Sequence, residues 1–451
     1  MRICCPLLFI AAAAFLSSSS LAQVAPPAPA ATQAPGTPPG PAPQMLTLQQ
    51  AEQLAIQNHP QIQIATAQAS VADAQRREVR AAYFPAVNGS ITGAEANDTN
   101  RIGAGVLNAP RVFPKFAQGF QVNQLLTDFG RTYQLVKSAN LHERAQEENI
   151  VTARADVLLQ VDRSYFGVLR AQALLRVAQQ TVSERQLVSN QVTQMAANQL
   201  KSQLDVTFAN VDLAQAQLLL IQAQNNLQSS YADLTRALGF ADQRTYSLME
   251  PGPAAGPPAS LDALIQQAVM NRPELVSLRL EATAAQTFVT SERDRWFPSI
   301  TAVGAAGLIP FHADVTTTGL NDQYAAAGFN MNIPIFNGRL FGALRNEALE
   351  RSIVQQQSLR TELDQVVRDV NQAWNDANSG YQRLSEVEQL VDQATQALNL
   401  ATSRYQLGLS SIVELTQSQL NLTQAQIEQV NATYDYQTEL ALVNYSIGNL
   451  R

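Results

Sequence analysis

Two stretches of the chain repeat one another, and this restricts the fold more than any single motif. Residues 48–87 align with 261–300 without a gap at an offset of 213, and 161–239 align with 370–448 at 209. The landmarks match in order: Leu48 with Leu261, Asn58-His59-Pro60 with Asn271-Arg272-Pro273, and Tyr83-Phe84-Pro85 with Trp296-Phe297-Pro298. Gly130-Arg131 answers Gly338-Arg339, and Leu213-Ala214-Gln215-Ala216-Gln217 answers Leu422-Thr423-Gln424-Ala425-Gln426. A unit of roughly 210 residues is a duplicated domain-sized body, far longer than the ~20–50 residues of a solenoid repeat. Two such bodies can line one axis as pseudo-equivalent walls.

Each half carries the same run of elements. The first opens with a helix expected over 48–82, with Thr47 and Gln50 three residues on as a capping box. Its twin spans 261–295 behind Ser260. Pro60 and Pro273 interrupt each helix after its third turn, which predicts a kink or a break. After Gly130, residues 131–197 hold no proline and one glycine, Gly167. Those 67 residues make a helix of roughly 100 Å. A shorter helix returns over 203–238. Its seam Leu227, Tyr231, Leu234, Leu238 steps by 4, 3, 4, as does Tyr436, Leu440, Val443, Ile447 in the twin. The return and opening helices together match the long one, so the two should stack end to end beside it.

Between the helices lie segments that alternate. Phe116, Phe120, Val122 and Leu126 alternate with Ala117, Gly119, Gln121 and Asn123. Ala325, Ala327, Phe329, Met331 and Ile333 alternate with Ala326, Gly328, Asn330 and Asn332. Residues 86–95 and 299–308 alternate more weakly, and loops 96–114 and 309–322 join each pair. Runs of about ten residues suit tilted transmembrane strands.

The N-terminal segment reads as an export leader. Arg2, the apolar run 7–16 and Ser20-Leu21-Ala22 give a signal peptide over 1–22 cleaved near Ala22. Cys4 and Cys5 are the only cysteines; they precede the apolar run, so lipidation is not expected. No later run approaches 18 apolar residues, so a membrane crossing would have to use strands. Eight prolines make 24–45 a semi-extended linker. The expected organisation is leader 1–22, Pro/Ala-rich linker 23–45, first repeat 46–249, Pro/Gly-rich linker 250–259 and second repeat 260–451. Net charge is −7 and charged residues make up only 15%, so nothing offers a footprint for nucleic acid.

Four membrane strands cannot close a barrel, and open edges would expose unpaired backbone to lipid. Eight strands give an interior filled by side chains; twelve, from a trimer, are the smallest set that leaves a duct. The fold class expected is therefore mixed. A homotrimer with internal duplication would form a long α-helical coiled-coil barrel plus an antiparallel β-barrel, four strands per chain and 12 in total.

Across 46–448 this arrangement resembles the TolC-type outer-membrane efflux proteins. Leu46-Thr47-Leu48-Gln49-Gln50-Ala51 with Asn58-His59-Pro60, the twin Asn271-Arg272-Pro273-Glu274-Leu275 and the Phe-Pro closures resemble the family's helix-opening pattern. Arg404-Tyr405-Gln406-Leu407-Gly408-Leu409 followed by Val413-Glu414-Leu415 resembles the family's turn at the periplasmic tip. The resemblance implies a homotrimeric exit duct in outer-membrane lipid with a long periplasmic extension. It would be recruited by an inner-membrane pump through a periplasmic adaptor, for efflux or type I secretion, with cargo chosen by the pump. The alternative is a periplasmic or surface coiled-coil scaffold whose alternating segments form a soluble sheet.

No catalytic residue, cofactor or metal site is expected. His59, His142 and His312 are scattered, and metal spacing, nucleophile elbow and phosphate loop are absent. The resemblance places the periplasmic aperture at Glu414, Asp205 and Tyr405. Ser411 to Glu414 also reads as a capping box and Ser202 to Asp205 as a near version of one. Two further aperture positions of the family fall at Ser410 and Gln417, where its arginine and second acid are lost. Adaptor docking is expected at Arg404, Leu407, Gly408, Leu409, Ser411 and Leu200. Gly408 supplies the positive φ of a tight turn; in the other half Gln199 takes its place, preceded by Asn198.

Overall fold

The computed structural model describes residues 45–94, 102–104, 107–109, 115–242, 244–252, 256–312 and 323–450. The leader, nearly all of the Pro-rich linker and most of loops 96–114 and 309–322 lie outside the described residues. In chain order come β1 (Met45–Leu46), α1 (Leu48–Asn58), α2 (Pro60–Arg80), β2 (Ala86–Ala94), β3 (Ile102–Ala104), β4 (Leu107–Ala109) and β5 (Lys115–Thr127). Then follow α3 (Arg131–Ala197), α4 (Gln203–Ala237), β6 (Ser247–Leu248), α5 (Leu261–Asn271) and α6 (Pro273–Asp294). The chain ends with β7 (Ser299–His312), β8 (Gln323–Asn332), α7 (Leu340–Gln406) and α8 (Ile412–Ser446).

The long helices α3 and α7 both run 67 residues and the return helices α4 and α8 both run 35. Pro60 and Pro273 do more than kink. Each starts a new helix at its first position, where the missing N–H has no role, behind an extended His59 or Arg272. Thr47 and Gln50 form the expected reciprocal box. Ser260 stands at the twin position without a capping bond from its side chain.

Each break receives the end of a return helix. Gly239 and Gly448 close α4 and α8 with φ of +80° and +75°. A Cβ on Gly239 would sit 2.9 Å from the backbone of Asn58 and His59, and one on Gly448 would sit 2.9 Å from the Asn271 carbonyl. Only glycine meets both demands, the left-handed turn and the backbone contact. The end-to-end stacking therefore differs from the simple sum of lengths. Ala51 and Ala55 of α1 share one core with Leu234 and Leu238 of α4, so α1 overlaps the end of α4, and α2 alone extends the column.

The duplication is visible in the core. Ala55, Ile62, Val157, Val161, Leu234 and Leu238 are buried together in the first half. Their counterparts Ala268, Leu275, Val366, Val370, Val443 and Ile447 are buried together in the second. Tyrosines pin the flanking straps: the Tyr165 hydroxyl lies 2.7 Å from the Met249 carbonyl, and that of Tyr436 donates to the Gly256 carbonyl at 2.9 Å.

The four long strands form one antiparallel sheet in the order β2-β5-β7-β8. Register puts Val87, Phe120, Val122, Ile300, Leu308, Phe329 and Met331 on one face. Asn88, Thr92, Gln121, Asn123, Thr301, Asn330 and Asn332 take the other. An apolar and a polar face is the dyad pattern of a strand between lipid and a wet lumen. Strands β2 and β8 are the sheet's free edges.

The helices continue this plan. Helix α3 packs against α2, α4, α6 and α8, and α7 packs on α5, α6 and α8. The outer faces of the first and last columns are apolar and exposed. Ile64 and Val71 lie on α2; Leu204, Val211 and Leu218, seven residues apart, lie on α4; Leu349, Val354, Leu390 and Leu400 lie on α7. Among the described residues α4 is the one helix apolar enough over 18 residues to match a membrane span by composition. It holds no run of 18 apolar residues, because glutamines and asparagines interleave this exposed heptad face.

One buried carboxyl makes the fold sensitive to pH. Asp162 of α3 is 4% exposed and faces Glu52 of α1. Burial, with Glu52 adding to it, pushes the Asp162 carboxyl up to about 8, and burial also raises Glu52. The folded state thus holds protons that the unfolded chain releases above the ordinary aspartate range, so stability falls as pH rises towards 8. Asp162→Asn should raise the melting temperature at pH 8.5 by on the order of a few degrees, and by less at pH 5. Scanning calorimetry at the two pH values checks this; an equal shift at both contradicts it.

Candidate functional site: the helix tips

The ends of the two hairpins, α3–α4 and α7–α8, bring the sequence-marked residues together. Each turn closes the same way. Leu409 N–H donates to the Arg404 carbonyl at 2.8 Å and Gly408 N–H to that of Tyr405 at 3.1 Å. Leu200 N–H donates to Met195 at 2.9 Å and Gln199 N–H to Ala196 at 3.0 Å. Both are Schellman closures, which need one left-handed residue. Gly408 has φ +73° with open space where a Cβ would stand, and Gln199 itself adopts φ +60°. Asn198 stays at φ −89°. The turns hold Leu200, Leu407 and Leu409 out at 72%, 74% and 68% exposure.

The two capping sites are unequal, in the reverse of the sequence expectation. Ser202 and Asp205 make the complete box: Asp205 N–H donates to Ser202 Oγ at 3.2 Å, and Ser202 N–H to the Asp205 carboxylate at 3.1 Å. Ser411 accepts from Glu414 N–H at 3.4 Å, but the Glu414 carboxylate turns to Arg404, 3.4 Å away. Glu414 and Arg404 are both roughly half exposed. Asp205 is thus engaged with its own helix start, while Glu414 is joined to the end of α7.

Tyr405 lies inside. It is 4% exposed, packed with Val192, Val206, Ala209, Ile412 and Leu415 where the hairpins meet. Burial, then the nearby Asp205 charge, raises its hydroxyl above the usual tyrosine range. Lys201 covers it: the ammonium stands 3.9 Å over the ring and donates to the Tyr405 carbonyl at 3.3 Å. Cation–π contact of this kind joins the first hairpin to the second. Sequence reasoning passed over Lys201. The available signal was the repeat itself, because Lys201 answers Ser410 at the offset of 209, the position where the family's arginine is missing. Ser410 and Gln417 sit nearby, Gln417 donating to Asn421 on its own helix at 2.9 Å. Among the described residues no group of three or more His, Cys, Asp or Glu side chains could hold a metal ion.

Residues 51–240 and 264–449 match the family profile described as outer membrane efflux protein. The chain belongs to that family. Its members are the outer-membrane exit ducts of efflux and type I secretion systems, with a helical extension in the periplasm. The cobalt-zinc-cadmium resistance protein CzcC of Cupriavidus metallidurans is 29% identical over 213 residues, 46% of this chain. That match spans about half of CzcC, 49% of its length. The outer membrane protein TolC of Vibrio cholerae is 25% identical over 405 residues, covering 87% of this chain and 89% of TolC. The crystal structure of the outer membrane protein VceC of Vibrio cholerae superposes with a TM-score of 0.76 at 20% identity, over 89% of this chain and 96% of VceC.

The tip turn of this efflux-family chain yields a direct test. A β-branched residue cannot hold φ +73° without a left-handed penalty of roughly 1–2 kcal/mol, whereas asparagine tolerates it. Gly408→Val should lower cargo export several-fold at equal protein level, and Gly408→Asn should stay near wild type. Equal export by both variants would remove the turn from the functional surface.

Proposed function

We propose that three copies of the chain close into one outer-membrane duct of twelve strands and twelve helical columns. The observation that carries this reading is the pair of matched free margins. Strand β2 with α2 and α4 bounds one side of the chain, β8 with α7 bounds the other, and all are apolar or unpaired. A threefold arrangement lets each margin meet the opposite margin of the next copy, pairing β2 with β8 and covering α2 and α4 with α7. A soluble scaffold would leave the Val87–Phe120–Phe329 face in water, a large exposed apolar patch that such proteins rarely keep.

At the periplasmic end, Leu200, Leu407 and Leu409 with Arg404, Gly408 and Ser411 form the surface offered to an adaptor, which links the duct to an inner-membrane pump. Exposed leucines on rigid turns supply apolar anchors, the kind of contact that dominates docking energies. Lys201 on Tyr405 holds the two hairpins of a copy together while the duct is shut.

Three Glu414 carboxylates brought towards the axis make a weakly acidic ring, with Tyr405 and Asp205 supporting it from behind. Each is partly countered by its own Arg404, but an exposed pair of this type contributes only about 0–1 kcal/mol. The three guanidiniums therefore offset part of the ring's field while adding little stability, and Gln417 adds no second acidic ring. Mg²⁺ at millimolar levels should lower conductance from the periplasmic side in planar bilayers. Glu414→Gln should relieve the block and Arg404→Gln should deepen it, each by several-fold in the Mg²⁺ needed. Identical titrations for wild type and both variants would leave Glu414 as part of a helix start alone.

A further inference from the structure

The repeat builds two grooves at matching positions and gives them opposite charge. Between α3 and α4 lies an open groove of about 290 Å³, lined by Arg163, Ser164, Gly167 and Arg170 of α3 and by Asp233 and Arg236 of α4. At the offset of 209, Arg163, Gly167 and Arg170 answer Gln372, Asp376 and Ser379, and Arg236 answers Tyr445. Gln160 and Ser230, also on the groove, answer Asp369 and Glu439. Three guanidiniums and one carboxylate in the first half thus correspond to three carboxylates and no guanidinium in the second.

Each groove has its own glycine, and the two serve different ends. In the second half a Cβ on Gly380 would collide with the Glu439 carboxylate, so that glycine makes room for an acid of the protein itself. Burial, then Asp435 and Asp376, raises the Glu439 carboxyl above its usual range. In the first half Gly167 is the one glycine of α3, although a helix interior disfavours glycine. A Cβ there would meet nothing within 4 Å, so packing makes no demand for it. What the missing side chain leaves is open floor in the groove. Arg170 is tied to Asp435 at 2.9 Å, whereas Arg163 and Arg236 form no ion pair among the described residues. Two unengaged guanidiniums and a third beside them converge on one concave space. Their planar forks match the oxygens of a phosphate, which each can grip through two parallel bonds.

The groove also has a direction. Val157, Val161 and Tyr165 of α3 share a core with Ala51 and Ala55 of α1. At ~100° per residue, Arg163, Gly167 and Arg170 lie about half a turn round from Val161, on the far side of α3 from α1. Twelve columns spaced ~10 Å apart make a ring ~38 Å across between helix axes, with a bore of roughly 28 Å. Helices α1 and α5 of three copies, each ~10 Å wide, would take up most of that bore. They therefore belong outside the ring, and the α3–α4 groove faces in.

We propose that the α3–α4 groove is a binding site for a phosphate group, presented to the interior of the duct by Arg163, Arg170 and Arg236. The inward placement rests on the trimeric duct reading; the site itself does not. In three copies, three such basic grooves alternate with three acidic ones that repel the same ligand.

The experiment uses the full-length, detergent-extracted protein with two probes, inorganic phosphate and a phosphate monoester, read by ³¹P line broadening. Wild type should broaden at least one probe's line, and tighter binding of the monoester or of the free ion shows which form the site takes. The Arg163→Gln/Arg236→Gln double variant should weaken binding about tenfold or more, as loss of charge-assisted bonds does. Gly167→Asp, which imports the residue of the second half, should abolish it. Arg383→Gln removes a guanidinium outside the groove and should change nothing. Equal broadening by wild type and the double variant, or equal weakening by Arg383→Gln, overturns the site. In planar bilayers, the phosphate needed to halve single-channel conductance should rise by the same factor in the double variant. Binding that leaves conductance untouched overturns the inward placement. A wild type that forms no channel overturns the duct reading, and the ³¹P measurement still decides the site.

Discussion

An unpaired backbone group in hydrocarbon costs several kcal/mol, and a four-stranded sheet has two edges of them. The rest of the molecule is organised by that constraint. Strand β2 follows α2 in the chain and β8 precedes α7, so the unpaired sheet edges and the uncovered helical faces fall on the same two margins. One rotation between copies would satisfy both layers at once. The proline breaks serve the same end. By ending α1 and starting α2 at Pro60, the chain lets α2 continue the column of α4, while Gly239 gives the junction a contact that a side chain would block.

The two halves share packing but have exchanged their charges. At the break, His59 in the first half lies near Arg236, which with burial pulls its imidazole below the usual range. In the second half the break residue is Arg272, lying over the ring of Tyr445, the counterpart of Arg236. The pair Glu52 and buried Asp162 corresponds to Ile265 and Asn371. At the tips Lys201 stands where the other half has Ser410, and Gln199 takes the left-handed turn that Gly408 takes opposite. Apolar positions at helical spacing tolerate little change because each fills a shared core. Polar positions at the joints drift, since either half can supply the partner.

That division also explains what could be read from sequence. Helix lengths were legible, because 67 residues without proline leave the backbone one choice, Gly130 and Gly338 mark where the long helices start, and Gly408 marks where α7 ends. The four strands were legible from alternation, and register then assigned Phe120 and Phe329 to the same face. The tip turns were legible through Gly408. The partners of charged groups were not. Glu414 could complete a capping box as Asp205 does, yet it reaches Arg404, and nothing local to Ser411 separates the two outcomes. Arg185 meets Thr423 at a separation of 238 residues. Only the antiparallel alignment of α3 and α8 brings them to one level. The overlap of α1 with the end of α4 was missed for a similar reason, since summing helix lengths ignores the sideways turn that Pro60 allows.

Closure by matched margins is tested most directly at the strand edges. Cysteines at Ser90 on β2 and Ala326 on β8 place one thiol on each free edge of the same chain. Cross-linking the protein in outer membranes, then separating it under denaturing conditions, counts how many chains one closed sheet contains. A ladder of one, two and three chains that stops at three is the expected product. Linkage confined to single chains, or a ladder that continues past three, would contradict threefold closure.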